Sequence, residues 1–252
     1  MNQRLLTVAL CMVLVLGLAG SVVASEYIAL SVGQNETVTI DGDLSDWIVD
    51  GEFVVPAIVL NEKAQAVRGD SAWQGPEDSS GKVYFRWTKD YLLVAADVVD
   101  DKGTLGGRPD NGDSVGVTII VDGIRNLITE MTPYPPDGDW SKAVLFREGG
   151  PWTSFPSNTI VRATEKADGQ GYYLEAAIPW SDLTLQGNSV DPMQGSVLFN
   201  VIISDSDDGS SRKSVLLNTR SESNPVTAWV NNLDQFMPLV LTGDGAGSVV
   251  VK

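Results

Sequence analysis

The stretch VYFRWTKDYLLVAADVVDD, Val83 to Asp101, decides the fold. In its first part Val83, Phe85 and Trp87 alternate with Tyr84 and Arg86, so one face of an extended chain is apolar. The polar triplet Thr88-Lys89-Asp90 interrupts the run, and Tyr91 to Val99 turns back as the second arm of a hairpin. The same reading extends outward in both directions. Ser114 to Asp122 is a strand that can pair with Arg125 to Met131 across Asp122-Gly123. Thr159 to Glu165 and Tyr172 to Ile178 flank the polar turn KADGQG. Val197 to Ser204 and Ser214 to Leu217 flank an acidic turn, and Pro238 to Thr242 and Ser248 to Lys252 close the sequence. Many short strands with Gly, Asp and Pro at the turns predict an all-β chain. The expected form is an antiparallel β-sandwich of the jelly-roll or immunoglobulin-like kind, with little helix. Gly69 to Gly81 and Thr132 to Pro156 are rich in Pro, Gly, Asp and Ser and read as long loops, where binding usually sits.

The N-terminus reads differently. Arg4 is the only charged residue before Glu26, and the apolar run Leu5 to Gly20 is followed by small residues ending at Ala24. A basic start, an apolar centre and a small residue at the cut make a secretory signal peptide, residues 1–24, with cleavage after Ala24. The apolar run falls short of the roughly 20 residues a membrane-spanning helix needs. Residues 25–252 show no internal change of composition and are expected to form a single domain without membrane insertion. Secretion to the extracellular space or to a periplasm follows from the leader. Cys11 is the only cysteine and lies in the leader, so the remaining chain must rest on its apolar core rather than on disulfides.

Charge and composition exclude several classes. The chain carries 33 acidic against 17 basic residues, a net charge of −16. Such a chain repels phosphate backbones and anionic lipid, so nucleic acid is not an expected partner. Histidine is absent, which excludes the usual Ser-His-Asp and Cys-His nucleophiles and histidine-bound metals. No glycine-rich phosphate loop follows a strand. A glycosidase needs only two carboxylates, but nothing singles out such a pair. The chain is therefore read as not an enzyme.

Five segments occur in order: IDGDLSDW (Ile40 to Trp47), the Val83–Asp101 hairpin, NGDSVGVTIIVDG (Asn111 to Gly123), GYYLEAAIPWSDL (Gly171 to Leu183) and GSVLFNVIISDSDDG (Gly195 to Gly209). A closing segment runs from Trp229 to Leu241. Together they resemble the family 9 carbohydrate-binding modules and their wider DOMON-like relatives. The resemblance implies a β-sandwich. It also implies a sugar slot between two tryptophans, one of them seven residues before a phenylalanine near the C-terminus. Trp229 and Phe236 match that spacing, and Asn231 and Asn232 could serve sugar hydroxyls. The C–H face of a pyranose packs well on an indole, and nearby polar groups then fix its orientation. The second tryptophan of that slot would stand just before GDSV, where this chain has Arg108, Pro109, Asp110 and Asn111. Trp73, Trp140 or Trp152, from the long loops, could replace it. Trp229 itself reads either as a ligand platform or as a packed edge aromatic. Trp47, Trp87 and Trp180 read as core, Asp41 and Gly42 as turn formers, and Asp182 as the end of a short turn.

A metal is the second expectation. Asp205, Asp207 and Asp208 crowd the acidic turn before Gly209, and closely spaced hard oxygen ligands suit Ca2+. Calcium stabilisation also agrees with the resemblance. As a plain hairpin turn, the same residues would be neutralised by Arg212 and Lys213. Asp97, Asp100, Asp101 and Asp113 form a weaker acidic group. Three functional readings follow. The first is a module that binds a poly- or oligosaccharide, with any enzyme a separate partner. The second is a structural or envelope interaction domain without a small ligand. The third is a DOMON-type domain holding b-type haem, whose axial ligands would have to come from Met131, Met193, Met237 or a lysine.

Overall fold

The structure is a computed structural model and describes residues 27–69, 71–104, 112–121, 124–131, 133, 144–146, 158–183, 191, 197–210, 213–218 and 236–252. Its strands are β1 (Tyr27–Ser31), β2 (Thr37–Ile40), β3 (Ile48–Val49), β4 (Glu52–Phe53), β5 (Ile58–Leu60), β6 (Ala66–Arg68), β7 (Ser79–Trp87), β8 (Tyr91–Asp100), β9 (Ser114–Val121), β10 (Ile124–Met131), β11 (Val144–Phe146), β12 (Ile160–Glu165), β13 (Tyr172–Pro179), β14 (Val197–Asp205), β15 (Ser214–Leu217), β16 (Met237–Thr242) and β17 (Ser248–Val251). The hairpins read from the sequence are present as antiparallel pairs: β7 with β8, β9 with β10, β12 with β13, and β14 with β15.

Three features differ from the sequence reading. β7 begins at Ser79, so the end of the expected loop Gly69–Gly81 is strand. β11 lies inside the expected loop Thr132–Pro156 and pairs with β10. The sandwich is also not wholly antiparallel, because β1 runs parallel to both β16 and β7, and β17 runs parallel to β2. A short turn forces its two arms antiparallel. The β1–β16 and β2–β17 pairs join the two ends of the chain and β1–β7 spans a long stretch of it, so in none of them does a short turn constrain direction.

The main sheet follows the order β11-β10-β9-β14-β16-β1-β7-β8-β13-β12. β1 pairs with β16 through Tyr27–Leu30 and with β7 through Leu30 and Ser31, and so carries the sheet from one layer to the other. Between the layers Phe85 of β7 meets Phe199 of β14 edge-on, with ring centroids 5.1 Å apart. Val83, Phe85 and Trp87 face this core with Val94, Ala96 and Val98 of β8, Val115 and Val117 of β9, and Val201 and Ile203 of β14.

β8 is apolar almost throughout because both its faces are covered. Leu93 and Ala95 point away from the inter-layer core into a second one, formed with Val38, Ile40, Leu44 and Trp47. The IDGDLSDW signature thus lies over the outside of the β7–β8–β13 layer. Gly42 takes a positive φ of 83° there, and a Cβ on it would lie 2.7 Å from Thr164 Oγ1. Asp43 caps the short 3-10 helix Leu44–Trp47, its side chain accepting from the Ser45 backbone. The signature is anchored by a buried carboxylate. Glu175 of β13 accepts hydrogen bonds from the backbone of Asp41 at 2.9 Å and Gly42 at 2.8 Å, and from Trp47 Nε1 at 2.8 Å. Trp87 Nε1 donates to the Thr242 carbonyl and Trp180 Nε1 to the Thr88 carbonyl, so all three tryptophans read as core are core. Asp182 accepts from the Asn158 backbone at 2.9 Å and so ties the segment before β12 to the short helix after β13 rather than closing a turn of its own.

Burial pushes Glu175 up to about 7, against the lowering effect of its three hydrogen bonds. Its folded pKa then exceeds the unfolded value near 4.5. The contribution of this group is therefore most favourable below about pH 4.5 and declines as pH rises through 7. Glu175→Gln lacks that titration. The stability difference between wild type and Glu175→Gln should shrink by about 3 kcal/mol between pH 4.5 and 8. Urea unfolding across that range checks it, and a constant difference would show that Glu175 does not titrate there.

Candidate metal centre

At one end of the sandwich the inward-facing phase of three strands runs from aliphatic side chains into carboxylates. Asp100 continues Val94, Ala96 and Val98 of β8, and Asp205 continues Val201 and Ile203 of β14. Asp113 precedes Val115 and Val117 of β9 in the same phase. β9 and β14 are neighbours in a register that pairs Ser114 with Ser204, which sets Asp113 near Asp205. Asp100 arrives from the opposite layer. One carboxylate oxygen of each lies within 4.8 Å of the other two, and all three residues are buried.

Hydrogen bonds hold these groups in place, and the nearby charge of Lys213 offsets only part of the burial cost at Asp205. Asp113 Oδ1 accepts from the Ser206 backbone at 2.7 Å, and its Oδ2 accepts from the Thr104 backbone. Asp100 Oδ1 accepts from the Lys102 backbone at 2.8 Å. Asp205 Oδ2 accepts from Ser214 Oγ at 3.3 Å, while its Oδ1 is buried with no hydrogen-bond partner. Burial is the first cause raising all three groups. Mutual repulsion adds to it for Asp113 and Asp205, and Asp205 is pushed up to about 7. Three buried carboxylates with a spare oxygen are an arrangement that a hard divalent cation would satisfy.

A second group lies beside the first. Asp78, Asp101 and Asp207 also bring one oxygen each within 4.8 Å of the others. Lys213 Nζ pairs with Asp78 and, at 2.9 Å, with Asp207. Gln74 donates its backbone N–H to Asp78 Oδ2 at 2.8 Å.

The three aspartates expected from the acidic turn are thus divided. Asp205 joins the buried group and Asp207 the second one, while Asp208 accepts from Ser210 N and Oγ, both at 2.8 Å, and helps form the turn itself. Of the weaker sequence group, Asp100, Asp101 and Asp113 take part, whereas Asp97 pairs with Lys166 at 2.6 Å. Asp78 was not singled out by the sequence, because it sits in a stretch read as loop. Lys213 neutralises Asp207 as the plain-turn reading expected, and Arg212 lies outside the described residues.

Of the residues expected at a sugar, Trp73 is described. It is half-buried against the core, and its Nε1 donates to the Ser79 carbonyl at 2.8 Å. Trp140, Trp152, Trp229, Asn231 and Asn232 lie outside the described residues, as do residues 1–24 and Met193. Met131 is buried in the core and Met237 packs against it. Among the described residues no helix is long and apolar enough to cross a membrane.

Residues 59–243 match the family model described as carbohydrate family 9 binding domain-like. An exoglucanase, XynX of Acetivibrio thermocellus, is 24% identical over 231 residues, covering 90% of this chain. The chain spans 18% of the length of that curated relative. A family 9 carbohydrate-binding module from Caldicellulosiruptor kristjanssonii, solved with cellotriose, has a TM-score of 0.59 at 17% identity, covering 87% of this chain and 94% of that one. A Bacteroides uniformis structure with a suggested carbohydrate-binding role has a TM-score of 0.52 at 12% identity, covering 86% of this chain and 100% of that one. At these identities the structures establish a shared β-sandwich fold.

Proposed function

Because the chain belongs to the carbohydrate family 9 binding domain-like family, we propose that it is a secreted, non-catalytic carbohydrate-binding module stabilised by calcium. The observation that carries this reading is the family match over residues 59–243. The shared fold supports it, as does cellotriose in one structural relative, which makes β-glucan oligosaccharides the first ligands to try. The match to a small part of an exoglucanase favours binding beside a hydrolytic activity carried elsewhere. The apolar leader of residues 1–24 supports export. Trp229 is the proposed platform, with Asn231 and Asn232 serving sugar hydroxyls. A second aromatic would come from Trp73, Trp140 or Trp152.

Calcium would be held by Asp100, Asp113 and Asp205. The fit rests on their burial and on the unpartnered Asp205 Oδ1. A bound ion would contribute charge and coordination, tying the ends of β8, β9 and β14 together. These residues do the rest: Asp113 holds the backbones at Thr104 and Ser206, and Asp100 that at Lys102.

Intrinsic tryptophan fluorescence, titrated with mono- and oligosaccharides in calcium and then in chelator, tests the reading. A saturable change with a glucan oligosaccharide is expected. Trp229→Ala should weaken it by about fivefold or more, since an aromatic platform contributes on the order of 1–3 kcal/mol. No response to any sugar would move the function to a structural domain. A Soret band in the purified protein would move it to haem.

A further inference from the structure

We propose that Lys213 is a tethered cation. Its ammonium fills a second cation position formed by Asp78, Asp101 and Asp207, so that this end of the sandwich takes up one divalent ion rather than two. The count of one rests on the calcium reading of the Asp100–Asp113–Asp205 group. The role of Lys213 does not.

The two acidic groups are joined by the chain itself, since Asp100 and Asp101 are adjacent and Asp205 and Asp207 are two residues apart. Asp100 and Asp205 each feel the charge of Asp207, so the groups are within electrostatic reach. In the second group a cation is already seated. Lys213 pairs with Asp78 and Asp207, and its side chain is 14% exposed. Its backbone N–H donates to the Asp205 carbonyl at 2.7 Å, which fixes the residue immediately before β15. Two carboxylates thus face one ammonium that solvent barely reaches. The lysine is therefore a charged, fixed ion and not a solvated side chain.

A monovalent ammonium has three donors and no capacity beyond them. It leaves Asp207 Oδ1 buried without a partner. Oxygen acceptors thus remain at the position that the lysine occupies, in a group spaced as closely as the first but more open, since Asp101 is exposed and the Asp207 side chain is 34% exposed. A calcium ion takes six to eight oxygens, from carboxylates, carbonyls and water. Removing the lysine side chain leaves the carboxylates, the spare oxygen and room for such an ion with its waters.

Calcium uptake by the whole protein tests this, measured by titration calorimetry and by metal analysis after equilibrium dialysis. Lys213→Ala is expected to bind one calcium more than wild type, with a Kd on the order of 10⁻⁴–10⁻³ M. Lys213→Arg keeps the charge and should match wild type. Adding Asp207→Asn to Lys213→Ala should abolish the extra uptake. An unchanged count in Lys213→Ala overturns the proposal. Wild type binding no calcium would remove the calcium reading alone, because the difference between variant and wild type judges the lysine. If Lys213→Ala is unfolded in chelator, calcium restoring the native tryptophan emission supports the proposal. Failure to restore it overturns the proposal.

Discussion

Asp205→Asn is expected to abolish the thermal stabilisation by calcium and, in chelator, to melt no lower than wild type. The first half follows from linkage. An ion that binds only the folded state at 1,000 times its Kd adds about 4 kcal/mol. For a chain of this size that is on the order of 10 °C in Tm. Asp205 carries the unpartnered buried oxygen of the centre, so losing its charge should remove most of the gain. The second half follows from repulsion. Without an ion, three buried carboxylates stand together at a cost to the fold, and burial with repulsion pushes Asp205 up despite the opposing charge of Lys213. An amide of the same shape removes one charge and can donate toward its neighbours. Calorimetric melting in calcium and in chelator separates the two effects. A variant that is less stable than wild type in chelator and still responds fully to calcium would place the ion elsewhere.

Trp47→Ala should destabilise the protein by about 3–5 kcal/mol, independently of calcium. Trp47 is fully buried in the second core, and its Nε1 is one of three donors to Glu175. Truncation opens a cavity under the N-terminal signature and strips an acceptor site of its donor. Trp47→Phe keeps most of the volume but not the N–H, and should cost about 1–3 kcal/mol. Urea unfolding with and without calcium measures both. A loss below 1 kcal/mol in Trp47→Ala would mean that the signature does not hold the outer layer.

Little of this pairing is visible in one dimension. IDGDLSDW and GYYLEAAIP are separated by more than a hundred residues, and a glutamate in a strand ordinarily faces solvent. Glu175 is buried because Ile40 to Trp47 folds across its face of the sheet, bringing three N–H donors to one carboxylate. The metal centre is a similar case. Spacing along the chain favoured Asp205, Asp207 and Asp208. In space Asp208 serves its own turn, through Ser210. Asp78, from a stretch read as loop, joins Asp207 in pairing with Lys213. The common inward direction of Asp100, Asp113 and Asp205 was not legible either, because β8 is apolar on both faces and its phase shows only once the two cores are known.

By itself the sequence determined the β class, the main hairpins and the inward face of the Val83–Trp87 strand. Those depend on side-chain alternation and on turn residues, which act over a few positions. Only the tertiary structure decided that β1 bridges the layers in parallel, that the N-terminal signature covers a second core, and which aspartates meet. Those depend on the order of strands in the sheet and on contacts between distant parts of the chain. Local pattern carries no information about either, because nothing short-range connects β8, β9 and β14 at the end where their carboxylates converge.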